Sequence, residues 1–393
     1  MLIAAAAIGP LALNIFIPSM PGIQHVFGVS YGIVQLALTL YLFAVAVAQL
    51  FIGSLSDRFG RRPVLVLGIA LFLVGSVVCA LAGNIVTLIV GRVIQAVGGC
   101  AGLVLGRAIA RDIHDQEGAT RMVAYITMAM VVAPMLGPAI GGYLEEWFDW
   151  RASFLLLVVL GGLVLGAAWR WAYETNFQRQ PMPGLGAMLR GYGALLRSLC
   201  FVGYAFNAAF SSGIFFTFIG GAPYVMVEIL DRPPSEYGLY FVLVSMGYML
   251  GNFTAARLSR RVGSARMLAL AAMLALLAVS LMGLLGLAEL RSPIALFGPM
   301  ALATFSNGLG LPNALVGAIS VDARQAGAAS GLAGFLQMGL GALCTLIVGQ
   351  LLSDSQLPMV AIMFGCAVLA IFSLMLALAG GRRRWVSTDG GAT

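Results

Sequence analysis

The chain is a succession of apolar runs of about 20 residues, each long enough to cross roughly 30 Å of hydrocarbon as a helix. The runs are continuous rather than alternating, which excludes a β-barrel. Gly, Pro and charged residues punctuate them into twelve candidate spans, near 2–20, 31–52, 64–82, 85–107, 121–143, 152–172, 199–222, 237–256, 266–288, 293–315, 327–351 and 358–380. Of 393 residues, 61% are hydrophobic and 9% charged, too few charges for a water-soluble surface of this size. The expected fold class is an all-α integral membrane protein. The first run does not read as a convincing signal peptide: no basic residue precedes it, and Pro18 and Pro21 close it without a small-residue cleavage site. Met1 stands almost at the membrane edge, so a short native leader ahead of it is expected.

Charge placement gives an orientation. Turns after even-numbered spans carry Arg58, Arg61 and Arg62, then Arg111, then Arg179, Arg190 and Arg197, then Arg257, Arg260 and Arg261, with Arg324 later and Arg382 to Arg384 at the tail. Turns after odd-numbered spans hold Arg151, Arg232 and Arg291 among the acids Glu145, Glu146, Asp149, Glu228, Asp231, Glu236, Glu289 and Asp354. The positive-inside rule then puts both termini in the cytoplasm. The net charge of +7 reflects that topology, not a nucleic-acid partner. Cys79, Cys100, Cys200, Cys344 and Cys366 lie scattered in apolar spans without metal spacing, which reads as core packing. All 22 basic residues are Arg, a bias like that of a high-GC bacterial genome.

The longest polar stretch, 174–198, divides the spans six and six. GSLSDRFGRRP (53–63), after span 2, has a degenerate echo in GNFTAARLSRRVGS (251–264), after span 8. A repeat at matching positions implies two pseudo-symmetric six-helix bundles related by an axis along the membrane normal. The expected organisation is an N-terminal bundle (1–173), a cytoplasmic linker (174–198), a C-terminal bundle (199–381) and a cytoplasmic tail (382–393).

Three segments carry chemistry. In 53–63, Gly53 would let two helices approach closely, and Asp57 would cap the following helix and pair with arginine, while Arg58, Arg61 and Arg62 hold the turn at the cytoplasmic side; the competing reading is a merely topogenic loop. In RVIQAVGGC (92–100), Arg92 lies roughly 10 Å below the outer surface by helix rise. A charge at that depth faces protein or a water-filled cavity, or snorkels to the interface. In APMLGPAIGG (133–142), Pro134 and Pro138 break backbone hydrogen bonds while Gly137, Gly141 and Gly142 admit close helix contact; a plain packing seam is the alternative.

Together these segments resemble the major facilitator superfamily across essentially the whole chain. GSLSDRFGRRP resembles its signature loop, in which Asp57, Arg61 and an acid ending span 4, here Asp112, would stabilise the outward-open state. Arg92 and Gln95 match the family's span-4 motif, with Ala96 where glycine is usual. The segment at 133–142 resembles the antiporter motif, with Ala133 in place of its first glycine. NIFIPSMP (14–21), HDQEGATR (114–121) and AGAASGLAGFLQMGLGA (326–342) narrow the resemblance to the bicyclomycin and chloramphenicol resistance (Bcr/CflA) branch. The resemblance implies a monomeric proton-coupled multidrug antiporter of the bacterial inner membrane, exporting small amphipathic drugs by alternating access. Its partners would be drug, protons and lipid bilayer, with the proton gradient as energy source and no cofactor, metal or enzyme activity.

One position departs from that branch, whose members commonly carry Asp where this chain has Asn14. A buried carboxylate can ferry protons and an amide cannot. No Asp or Glu falls deep in the twelve expected spans, and His25 and His114 fall in turns. Three explanations stay open: a deliberate Asp-to-Asn change that mimics the protonated state, a natural variant without proton coupling, or coupling through interfacial groups such as Asp112. The bland alternative is that Asn14 only hydrogen-bonds a neighbouring helix.

Helical spacing nominates a chamber near the midplane. Its candidate lining is Asn14, Gln35, Thr39 and Gln95, with Tyr125 and Met128 from span 5. Spans 7 and 8 add Tyr204, Asn207, Ser211, Phe215, Tyr240 and Tyr248, and spans 10 and 11 add Asn307 and Gln337. Aromatic and Met walls with neutral hydrogen-bonding groups suit amphipathic molecules. The rival substrates are endogenous small metabolites such as amino acids, and a non-transporting receptor is the rival from another class. An enzyme would need a nucleophile, metal cluster or acid/base pair near the membrane face, and none is found.

Overall fold

A computed structural model describes residues 1–113, 115–177, 179, 184–322, 325–352 and 355–389. His114, Arg324 and Asp354 lie outside the described residues, as do the side chains of Arg260 and Arg382 to Arg384.

The described residues form helices α1 (Leu2–Ile15), α2 (Met20–Phe27), α3 (Tyr31–Phe59), α4 (Arg61–Ala80), α5 (Ile85–Ile113), α6 (Gln116–Trp147), α7 (Trp150–Trp171), α8 (Leu185–Leu196), α9 (Leu199–Tyr224), α10 (Pro234–Val262), α11 (Ser264–Leu287), α12 (Pro293–Ile319), α13 (Ala326–Leu351) and α14 (Leu357–Asp389). Among the described residues, twelve helical segments are long and apolar enough to cross a membrane. With all backbone groups satisfied within each segment, helices are the natural way for this sequence to lie in lipid.

Several boundaries differ from the sequence expectation. The first span continues to Phe27, as α1, a 3-10 turn at Ile17–Ser19 and α2. Pro18 and Pro21 remove two amide donors there and bend the helix without ending it. His25, expected in a turn, therefore stands in the last turn of α2. The fifth span reaches from Gln116 to Trp147, so Glu145 belongs to helix α6 and not to the following turn. Within 174–198 the short helix α8 forms, and Leu195 packs with Phe201, Ala205 and Leu332. The tail expected from 382 continues α14 as far as Asp389.

The chain divides into two compact units. One comprises Met1–Met182, Ile219–Val242 and Thr345–Ser355; the other comprises Pro183–Phe218, Leu243–Cys344 and Gln356–Thr393. The first unit therefore gathers α1 to α7 with one end each of α9, α10 and α13. Its helices meet through glycine. A Cβ on Gly9 would stand 3.2 Å from the Gly99 carbonyl oxygen, and one on Gly98 would strike the Phe72 amide. In the second unit, a Cβ on Gly310 would stand 2.9 Å from that of Ala271, closing α11 on α12. With no hydrophobic drive between helices in lipid, such close contact supplies the packing energy. All five cysteines are buried free thiols, and the Sγ atoms of Cys344 and Cys366 lie 3.7 Å apart in the second unit.

Candidate functional site

Arg92 anchors the interior of the first unit. It is fully buried on α5, which rules out snorkelling. Nη1 donates to the Ala12 carbonyl (3.0 Å) and to Gln95 Oε1 (2.6 Å). Gln95 Nε2 donates in turn to Ser76 Oγ (2.8 Å), whose hydroxyl donates to the Phe72 carbonyl. Tyr41, Phe16 and Phe154 surround the guanidinium, with ring centroids 4.1, 4.7 and 6.0 Å from its carbon. Nε and Nη2 are buried without a hydrogen-bond partner. Aromatic faces and backbone thus take the place of a counter-ion. Sequence reading found Arg92 and Gln95 but missed the cage, because Phe16 comes from the turn after α1, Tyr41 from α3 and Phe154 from α7.

Asn14 lies next to this anchor on α1, 2% exposed. Its amide nitrogen donates to the Pro10 carbonyl one turn back (2.8 Å), so it bonds its own helix and not a neighbour. Its carbonyl oxygen Oδ1 is buried with no partner. Gly137 lies directly against it: a Cβ there would stand 3.0 Å from Asn14 Cβ and 3.2 Å from the Ile15 amide. One turn on, a Cβ on Gly141 would strike the Ile15 carbonyl oxygen. The third motif glycine, Gly142, faces Pro234 and Ser235 of α10, while Ala139 and Pro138 face Gly238. Pro134 and Pro138 lie within an unbroken α6. The motif therefore lays α6 between α1 and the start of α10.

At the other end of α3, Gly60 turns the chain with φ +103°, a backbone conformation suited to glycine. Arg61 pairs with Asp57 (2.7 Å) and Asp112 (3.2 Å) and touches Ser56 Oγ. Asp57 caps no helix: α4 begins at Gly60 without a side-chain cap. The capping acid is Glu174, from the polar stretch after α7. It accepts from the amides of Arg61 (2.9 Å), Arg62 (3.3 Å), Thr175 (3.0 Å) and Asn176 (2.9 Å). Partial burial works against its ionisation, but those four amides outweigh it and hold the carboxyl below its ordinary value. Thr175 adds a bond to Asp112 (3.0 Å) and Asn176 one to the Asp57 carbonyl (3.0 Å). Arg62 donates to the Trp169 carbonyl, and Arg58 stacks on Phe59. Gly53 has nothing within 4 Å of a Cβ position, so it admits no close helix. Glu174 was legible only as one acid among polar residues; its signal was position, immediately after a span.

The candidate lining residues fall into different environments. On α3, Gln35 is wedged between Gly220 and Gly349 with both amide atoms unpartnered, and Thr39 meets Thr345 (2.9 Å). Tyr31, one turn before Gln35, donates to the Gly220 carbonyl (2.7 Å). Tyr240 is half-buried, while Tyr125 and Met128 are exposed. In the second unit, Asn207 is buried and donates to the Ala370 carbonyl (2.8 Å), a helix-packing bond. Gln337 donates to Ser212 (2.7 Å), and Asn307 donates to the Ser211 carbonyl (3.5 Å). Tyr204, Phe215 and Tyr248 are half-buried. The ring of Tyr204 lies over Gly317, and Phe215 meets the Phe216 ring. Among the described residues, no group of His, Cys, Asp and Glu could hold a metal ion.

Known proteins match this arrangement along its length. The family model described as Major Facilitator Superfamily matches residues 2–345. An uncharacterised MFS-type transporter of Bacillus subtilis, YdgK, is 32% identical over 382 residues, covering 94% of this chain and 93% of its own. A bicyclomycin resistance protein homologue of Haemophilus influenzae is 27% identical over 369 residues, covering 93% of this chain and 92% of its own. Among solved structures, the xylose transporter XylE from E. coli superposes with a TM-score of 0.73 at 13% identity, over 96% of this chain and 95% of that one.

Proposed function

The chain belongs to the Major Facilitator Superfamily, in its bicyclomycin and chloramphenicol resistance branch, and from that premise we propose that it exports small amphipathic drugs from the bacterial cytoplasm in exchange for protons. The observation that carries this reading is the seam between α1 and α6. Gly137 and Gly141 bring the motif helix into backbone contact with α1 at Asn14 and Ile15, while the caged Arg92 holds α1 by the Ala12 carbonyl. Glycine contacts of this kind hold the two helices together without interlocking side chains, so the seam can open and change the surroundings of Asn14. In this reading the protein is a monomer in the cytoplasmic membrane with both termini inside. The cluster of Asp57, Arg61, Asp112 and Glu174 makes and breaks as the cytoplasmic side closes and opens.

The test is a drug-hypersensitive bacterium that expresses the protein. Raised tolerance to chloramphenicol or bicyclomycin, abolished by dissipating the proton gradient in an efflux assay, is the expected result. Unchanged tolerance to both, at verified membrane expression, would overturn the drug reading in favour of an endogenous metabolite.

A further inference from the structure

The face of α6 that meets α1 repeats every four residues. Gly137 faces Asn14, Gly141 faces Ile15, and Glu145 continues the same stripe, about 12 Å outward from Gly137 by helix rise. Glu145 reaches the bend after α1: one carboxylate oxygen occupies the space where Gly22 lacks a side chain. The other, Oε2, is buried and accepts no hydrogen bond. The hydroxyl of Ser19, itself fully buried, faces this carboxylate with its O–H free to donate to it. Among the described residues, the Ser19 hydroxyl is the side-chain donor that faces this carboxylate, and no cation forms an ion pair with it.

We propose that Glu145 is the proton-binding site of this transporter, the carboxyl that the seam needs and Asn14 cannot supply. A proton on Oε2 becomes a donor to Ser19 Oγ, and both oxygens are satisfied at once. Loss of that proton leaves a charged carboxylate in a largely buried notch with the Ser19 hydroxyl as its donor and no cation beside it, a loss of solvation that favours its movement out of the notch as the seam opens. The charged and titratable groups around it are accounted for. Asp149, the N-cap of α7, lies close enough to repel a charge on Glu145 and interacts with Arg151 (3.9 Å). Glu146 is exposed beside it on α6. On α2, His25 engages Glu228 (2.8 Å). At the start of α10, Arg232 engages Glu236 (3.9 Å). None of these reaches Glu145 as an ion pair among the described residues. Gly22 serves the site by absence: any side chain there fills the notch.

This proposal rests on the proton-exchange reading above, and the experiment separates the two. Purified protein is reconstituted in liposomes with an interior one pH unit more acidic than the medium, and labelled chloramphenicol is added. One-for-one exchange then accumulates drug up to about tenfold. Glu145→Gln is expected to reduce accumulation to the level of equilibration while keeping gradient-free chloramphenicol exchange. Full accumulation by Glu145→Gln overturns the site and leaves proton exchange standing; no accumulation by the unaltered protein, with chloramphenicol exchange intact, overturns proton exchange itself and the site with it. Should Glu145→Gln fail to fold, Gly22→Ala decides, since its methyl expels the carboxylate and changes no titratable group. It is expected to shift the pH profile of exchange, and an unmoved profile overturns the site.

Discussion

Replacing Arg92 with Met separates function from folding, because the forces around this side chain nearly cancel. Its two hydrogen bonds from a charged donor are worth ~1.5–3 kcal/mol each. The aromatic faces of Tyr41 and Phe16 add about 2 kcal/mol where water is excluded. Against these stands the desolvation of an ion with two further donors left unpaired, which costs several kcal/mol. Met fills most of the volume, restores apolar contact with the rings and leaves Gln95 to re-pair. The expected net change in stability is therefore within about 2 kcal/mol, read as a small shift of melting temperature in detergent. Chloramphenicol exchange in liposomes, by contrast, should fall to the protein-free level, because the tie from α5 to the Ala12 carbonyl is gone. Full exchange by a folded Arg92→Met protein would refute the role given to Arg92. A collapse in stability would instead show that the cage is structural.

Other perturbations address the seam and the cytoplasmic cluster. Gly141→Ala puts a methyl on the Ile15 carbonyl oxygen and should cost about 1–3 kcal/mol by overpacking, lowering melting temperature and exchange together. Gly162→Ala on α7, with nothing within 4 Å, should be neutral or slightly stabilising. Asn14→Asp adds a second titrating group to the seam, so drug-induced proton release from detergent-solubilised protein should rise and gain a new pH step; an unchanged release would show that position 14 does not communicate with the exchanged proton. Glu174 is held below its ordinary carboxyl value, so its stabilisation of the turn is present above the unfolded carboxylate range and lost as pH falls through the folded value. Protease nicking near residue 174 should therefore increase in acid for the unaltered chain, while Glu174→Gln should already be nicked at neutral pH and show no acid step.

The membrane class, the twelve spans and the polar anchors were legible because each is a local signal: a run of apolar residues, an arginine at depth, a Gly-Pro spacing. What escaped the sequence was assembled from distant segments. Proline at 18 and 21 looked like an end, yet the helix regained its hydrogen bonding past the bend and carried His25 with it. Glu145 looked like a turn residue because charge near a span end is ordinarily interfacial; the continued α6 and the missing side chain at Gly22 draw it inward instead. Gln35, Thr39 and Asn207 share the spacing of chamber-facing residues, but the structure commits them to contacts with Gly220, Thr345 and Ala370. Helical periodicity marks a face without saying what lies opposite, and polarity in a span serves packing as readily as ligand binding.

The central claim is that this chain carries a small amphipathic molecule across a bilayer by alternating access. Liposomes bearing the purified protein, preloaded with unlabelled chloramphenicol and diluted into a trace of the labelled compound without any ion gradient, test it most directly. The account predicts a transient internal excess of label, absent from protein-free vesicles. Equilibration at the protein-free rate, with folded protein in the membrane, would contradict it.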